Sequence, residues 1–177
     1  MKKYAPVLFI FILFTVSGKA SANSIPPILS VSGVFEVVPE LNDEITLNSM
    51  LGLGMRLPFL FGDGDLGFML APALAVEYGF SANLLRLRGG LHIGLLKKLD
   101  SLFFDYYIGV SGIYMQDFTN NIPVAGISPE IGVEVYIPYF PNMRVQLQYD
   151  FLSVERYNRF GCTISFIFPL KKPDFHY

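Results

Sequence analysis

The chain has 177 residues, 52% of them hydrophobic, with 13 Lys plus Arg against 15 Asp plus Glu and no Trp. This slight acidity argues against nucleic acid as a partner, and the single cysteine, Cys162, excludes an internal disulfide and a metal site built on thiolates. After residue 22 no stretch approaches 18 uninterrupted apolar residues, so the hydrophobicity is spread in short pieces rather than gathered into a spanning helix.

Residues 1–22 read as a cleavable secretory signal. Lys2 and Lys3 precede the apolar run Pro6 to Val16, and Ala20-Ser21-Ala22 supplies a small-x-small cleavage site ahead of Asn23. The run is too short to cross a bilayer as a helix, and the cleavage site at the proper distance disfavours a membrane anchor. Without Lys2, Lys3 and Lys19 the mature chain holds 10 basic against 15 acidic residues, a formal net charge of −5. The absence of a cysteine after the apolar run argues against a lipid-anchored lipoprotein.

From there on, one pattern recurs almost to the end of the chain. Leu29 to Val38 sets Leu29, Val31, Phe35 and Val37 against Ser30, Ser32 and Glu36. Ile45 to Phe59 alternates Leu47, Leu51, Leu53, Met55 and Leu57 with Thr46, Asn48, Gly52, Gly54 and Arg56, and a turn is expected at Gly62-Asp63-Gly64-Asp65. Leu66 to Phe80 places Phe68, Leu70, Leu74, Val76 and Tyr78 opposite Gly67, Ala71, Ala73, Ala75 and Glu77. Leu84 to Leu96 opposes Leu85, Leu87, Leu91 and Ile93 to Arg86, Arg88, Gly90 and His92, with Lys97 and Lys98 assigned to the following connector.

Leu102 to Met115, Ala125 to Pro138, Met143 to Phe151 and Asn158 to Phe168 repeat the alternation. They are joined by connectors at Gln116 to Val124, Tyr139 to Asn142 and Ser153 to Tyr157. Successive side chains of a strand point to opposite faces, so each segment is a strand with an apolar and a small or polar side. The count is about eight. Pro72 and Pro129 remove ladder donors, and bulges or local irregularity are expected there.

The polar face decides where the apolar one points. A soluble sandwich or lipocalin-like barrel has the same period but turns a Lys- and Glu-rich face to water. Here that face is mostly Gly, Ala, Ser and Thr, and after Lys19 lysine occurs only at Lys97, Lys98, Lys171 and Lys172. The expected fold is therefore all-β: an eight-stranded antiparallel up-and-down transmembrane β-barrel over residues 23–168, followed by a C-terminal tail over 169–177.

The inward charges would be Glu36, Glu77, Asp105, Glu130, Glu134 and Asp150 against Arg56, Arg86, Arg88, Arg144 and Arg159, with His92 able to add a sixth positive charge. They nearly balance. An uncompensated buried charge is costly and arginine forks match carboxylates, so a salt-bridged plug is expected rather than an open pore. Phe59, Phe61, Phe80, Phe104, Tyr114, Tyr139, Phe140, Tyr149, Phe151 and Tyr157 are candidates for two interfacial girdles.

Asn158, Phe160, Gly161, Ile164 and Phe166 fill every position of the assembly signal of bacterial outer-membrane proteins: polar, any, hydrophobic, glycine, two of any, hydrophobic, any, aromatic. With the strand number, the mature chain resembles the OmpA/OmpX-like superfamily of small barrels, as pattern over its whole length. The resemblance implies a Gram-negative-type envelope, periplasmic chaperones, the barrel-assembly machinery, outer-membrane lipid as surroundings and both termini in the periplasm. The connectors at Pro39 to Glu44, Ser81 to Asn83, Gln116 to Val124 and Ser153 to Asn158 would then face outward. All are short, and Asp117, Asn120 and Asn121 are the candidate contact residues.

No chemistry is expected. His92 and His176 are the only histidines; the first lies toward the periplasmic end of its strand and the second in the tail, so a base at the outer rim is hard to build. Glu130 and Glu134 share a face but stand about 13 Å apart, too far for a retaining glycosidase pair. No compact metal cluster and no nucleotide-binding glycine motif is present, so no cofactor is expected. The reading is a non-enzymatic barrel with a structural or surface-interaction role. A small-pore or apolar-compound transporter is the alternative, and a lipid-modifying enzyme or a soluble binder is less favoured.

Overall fold

The computed structural model describes residues 27–39, 45–61, 66–99, 102–136 and 142–169. The expected cleavage residues Ala20, Ala22 and Asn23, the tail after Pro169, the turn at 62–65 and most of the connectors at Pro39 to Glu44 and Tyr139 to Asn142 lie outside the described residues. The strands are β1 (Ile28–Pro39), β2 (Ile45–Arg56), β3 (Phe59–Phe61), β4 (Leu66–Gly79), β5 (Leu84–Leu99), β6 (Leu102–Asp117), β7 (Ile122–Tyr136), β8 (Asn142–Leu152) and β9 (Arg159–Pro169). Each pairs antiparallel with its neighbours, and β1 pairs with both β2 and β9. Because β2 and β3 share the partner β4, they fill one position of the wall, and the sheet closes as an eight-position barrel without edges.

Proline interrupts this wall without shifting it. Gly54↔Ala75 and Arg56↔Ala73 on one side of Pro58 and Phe59↔Leu70 on the other keep a single register, and Leu57 N–H still donates to the Pro72 carbonyl at 2.9 Å. At Pro129 the β7–β8 ladder skips from Ile127↔Phe151 to Glu130↔Gln148, again in the same register. A bulge would have added a residue to one strand; instead each missing amide opens a gap and the alternation of faces survives. Continuing the register around the wall from Ile28 through Arg56, Ala73, Gly90, Ser111, Ser128, Asp150 and Arg159 leads back to Val38, ten residues along the starting strand. Such a stagger goes with strands tilted by about 35–45° to the barrel axis.

The strands run further than expected. Lys97 and Lys98 belong to β5, since Lys97↔Phe104 and Leu99↔Leu102 extend the ladder past both lysines, and Lys97 projects outward. The connector assigned to Gln116 to Val124 contracts to Phe118–Asn121, because Asp117↔Ile122 closes the β6–β7 ladder. Asn83 and Asn121 take the left-handed backbone these tight turns require, with φ of 47° and 53°.

Exterior positions are mainly apolar and exposed. Leu47, Leu53, Val76, Ile93, Ile108, Val110, Ile131 and Leu147 make up part of this belt. One end carries exposed Phe35, Phe80, Tyr114, Phe118, Phe151 and Phe160, and the other Phe61, Phe68, Tyr106, Phe166 and Phe168. Ring pairs such as Tyr149–Phe151 and Phe61–Phe68 knit each girdle. Tyr157 is no part of either: it packs inward, and its hydroxyl donates to Asp117 Oδ2 at 2.9 Å.

The inner face is not polar throughout. Ile28, Leu60, Met69, Ala71, Leu96, Tyr136 and Ile167 form a buried apolar layer at the end nearer the chain termini. Val34, Met50, Leu84, Ile113, Met115, Val124 and Leu152 form another at the opposite end. Along β1 the inward sequence is Ile28, Ser30, Ser32, Val34 and Glu36, so the small polar residues Ser30 and Ser32 lie between members of the two layers, and Glu36 lies beyond Val34.

Candidate functional site

Between the apolar layers the two halves of the wall differ in side-chain length. β1, β2, β4 and β9 contribute mainly Ser30, Ser32, Gly52, Gly54, Ala73, Ala75, Thr163 and Ser165, whereas β5 to β8 project Arg86, Arg88, His92, Tyr107, Glu130, Glu134, Arg144 and Asp150. Long side chains therefore reach across the lumen toward a short wall. All eleven charged residues expected inside are buried and each makes at least one ion pair, and His92 is buried against Glu130.

Two clusters result. In the first, Arg86 on β5 binds Glu77 on β4, Glu36 on β1 and Asp150 on β8, the last at 2.7 Å. Arg88 donates to Glu130 Oε1 at 2.7 Å and to Asp150 Oδ1 at 3.2 Å, Ser128 donates to Asp150 Oδ1 at 2.7 Å, and Arg159 donates to Glu36 Oε2 at 3.0 Å. In the second, Arg56 pairs with Asp105 Oδ2 at 2.9 Å and with Glu134 Oε1 at 2.6 Å, while Arg144 and the Tyr136 hydroxyl also bind Glu134. Each of the six carboxylates in these clusters is thus matched to at least one cation, the condition under which buried charge is tolerated.

His92 and Tyr107 join the clusters. The His92 ring hydrogen-bonds Glu130 Oε2 through Nε2 at 2.7 Å and stacks on Tyr107, with centroids 4.6 Å apart. The Arg56 guanidinium lies over the Tyr107 ring at 4.7 Å, and the Tyr107 hydroxyl donates to Gln146 at 2.7 Å. Glycine makes this possible: a Cβ on Gly109 would collide with the His92 ring, and one on Gly132 would lie 2.5 Å from the Tyr107 Cζ. A cavity of about 40 Å³ remains near the short wall, lined by Ser30, Ser32, Ala75, Arg88, His92 and Glu130 among others. Among the described residues no group of three His, Cys, Asp or Glu side chains is placed to hold a metal ion.

The remaining candidate positions fall elsewhere. Phe160, Ile164 and Phe166 of the assembly pattern face outward and Gly161 faces in beside Gln148. Asn158 accepts from the Leu152 amide at 2.7 Å. Of the contact candidates, Asp117 is committed to its own turn, accepting from the Thr119 and Asn120 amides, the Asn120 side chain and Tyr157. Asn120 and Asn121 are exposed at the turn tip. The apolar layers and the Tyr107 stack were missed in the sequence, although doublets such as Leu84-Leu85 and the run Ile113-Tyr114-Met115 mark where both faces turn apolar.

An edgeless antiparallel cylinder, apolar outside and ion-paired within, is an integral membrane barrel of the small outer-membrane class. No family model and no curated protein sequence matches the chain. Among solved structures it is similar to the outer membrane enzyme PagL, at 10% identity over 79% of this chain and 96% of that one, with a TM-score of 0.52. It also matches the Yersinia pestis attachment invasion locus protein Ail (12% identity, 81% and 99% covered, TM-score 0.44) and Neisserial surface protein A (7%, 79% and 96%, TM-score 0.46). At such identities the likeness to PagL is one of fold.

Proposed function

We propose that this protein is a non-conducting, non-enzymatic outer-membrane barrel with a structural or surface-interaction role. The observation that carries the reading is the filling of the lumen: a paired charge network runs through it, with two buried apolar clusters packed toward its opposite ends. Planar-bilayer recording on purified protein tests it. Silence is expected, and a steady, reproducible single-channel conductance would overturn it in favour of a small-pore transporter.

The placement of His92 supports the absence of catalysis. Its ring is buried within the lumen against Glu130 and Tyr107, away from any lipid substrate. Although PagL is described as an outer membrane enzyme, His92→Ala is expected to change stability without abolishing any lipid modification in cells that make the protein. On this reading the partners are the surrounding lipid, periplasmic chaperones and the assembly machinery that reads Asn158 to Phe166. The termini are periplasmic, and the exposed Asn120 and Asn121 are presented outward.

A further inference from the structure

The wall is closed along its length, but β2 overruns it at the mouth opposite the chain termini. On one side β2 pairs with β1 as far as Pro39↔Ile45, whereas on the other its ladder with β4 begins only at Leu51↔Tyr78. The Leu57 amide donates to the Pro72 carbonyl in this β2–β4 register, and backbone groups alternate sides along a strand. Ile45, Leu47 and Ser49 therefore turn their N–H and C=O groups toward the β4 side, beyond its last rung. Among the described residues, no backbone hydrogen bond from the turn at 80–83 meets Leu47 or Ser49 there.

A second overhang shows how such an edge is closed. β7 continues past its last β8 partner, Gly126↔Leu152, through Ala125 to Ile122. There the Ser153 amide donates to the Ala125 carbonyl at 2.8 Å, and the next residue facing that side is Pro123, which has no N–H to offer. The β2 edge has neither device. Leu47 is 76% exposed, and Ser49 is exposed as well. Open amides are not tolerated in hydrocarbon, so this edge stands where water reaches it.

Unpaired N–H and C=O groups in a row are matched by another extended backbone. A second copy is a poor match, because antiparallel pairing of β2 with its own copy needs a two-fold axis normal to the sheet, which lies in the membrane plane and inverts one barrel. We infer that the open edge of β2 at Ile45, Leu47 and Ser49 receives an extended peptide segment of a partner protein as an added antiparallel strand. The segment's outward side chains are apolar, beside Leu47, and those between them are polar, beside Asn48. The chain leading into β2 carries Glu40, Asp43 and Glu44 without a base, so Lys or Arg flanks the segment. The added strand gives the surface-interaction reading a partner class and rests on that reading. Conductance tests the lumen separately: a conducting barrel leaves the edge standing, and a silent barrel that binds no peptide leaves the filled lumen standing.

The test uses ¹⁵N-labelled barrel in nanodiscs and the end-capped peptide Lys-Val-Thr-Val-Thr-Val-Lys, with amide exchange read residue by residue. Bound peptide is expected to slow exchange at the Leu47 and Ser49 amides roughly tenfold or more, without change at Asn48 and Met50, whose amides face β1. The same peptide N-methylated at alternate residues, so that its pairing edge has no donor, should lose the effect. Leu47→Pro removes a donor from the open edge and none from the β1 ladder; in barrels that still shift on gels with boiling it should abolish binding, while Leu47→Thr should keep it. No slowing at Leu47 and Ser49 with millimolar peptide, slow exchange there before any peptide is added, or equal binding of the N-methylated form would overturn the proposal.

Discussion

Arg56 Nη1 stands 2.9 Å from Asp105 Oδ2, although β2 and β6 lie across the lumen from one another. The same nitrogen is 2.6 Å from Glu134 on β7, so one side chain ties two further strands to its own. Arg56→Met removes the cation and leaves two buried carboxylates short of a partner, which is expected to lower stability by roughly 3–5 kcal/mol. Urea titration read by gel mobility measures the loss, and combining the change with Asp105→Leu should recover part of it. Wild-type stability in Arg56→Met would mean that the pairs hold nothing together.

Gly132→Ala sets a methyl group against the Tyr107 ring, 2.5 Å from Cζ in the present packing. The ring must move, and with it the bond to Gln146 and the stack on His92. A cost of about 1–3 kcal/mol is expected, as for other overpacked interiors. Tyr107→Ala in the same background should make the glycine substitution nearly silent; additive losses in a double-mutant cycle would count against the contact.

Met69 and Met115, both fully buried, belong to the two opposite apolar layers. Truncating either to alanine is expected to cost about 2–5 kcal/mol, as in a soluble core. Because the layers lie at opposite ends, the losses should add when the changes are combined. Tolerance of either change without effect would show that its layer is loosely packed.

Leu53 lies near the middle of the β2–β3 position and Leu47 near its end; both side chains point outward. Arginine at 53 should destabilise the barrel in a bilayer by about 2–4 kcal/mol, against about 0–1 kcal/mol at 47. Equal and negligible costs would place water, rather than hydrocarbon, around the cylinder.

The turn at Asp117 carries a pH dependence of definite sign. Partial desolvation pushes its carboxyl up, but the Asn120 side chain and amide, the Tyr157 hydroxyl and the Thr119 amide together outweigh this and hold it below the usual carboxylate range. A carboxyl depressed in the folded state stabilises above its unfolded value, and that stabilisation disappears as pH falls through the folded one. Amide exchange at Thr119 and Asn120 should therefore accelerate in strong acid beyond the intrinsic trend. Asp117→Asn should show the faster exchange at neutral pH and lose the acid step.

The alternation of faces was legible because lipid and lumen impose opposite chemistry at a period of two, and no register slip disturbs it. The lumen charges could be chosen one by one for the same reason, since Glu36, Arg56 and Asp150 each stand between outward apolar neighbours. Their pairing was not legible: Arg86 and Asp150 lie 64 residues apart in sequence, and only the stagger of the closed wall makes them meet. The apolar layers were hidden because Val34 and Met50 look like breaks in alternation rather than members of a surface assembled from many strands. Pro72 and Pro129 were recognised as disturbances, but whether a missing amide inserts a residue or only opens a gap depends on the partner strand.

The two apolar layers reach beyond packing. Ion pairs on an open surface weaken as mobile ions gather around them, within a screening length of about 8 Å at physiological salt. Here burial within the wall, with apolar side chains packed among the charges toward each end, sets that atmosphere apart from the carboxylates and guanidinium groups. The girder inside the cylinder should therefore keep its strength from dilute to concentrated brine, while contacts made by the rim turns come and go with the medium.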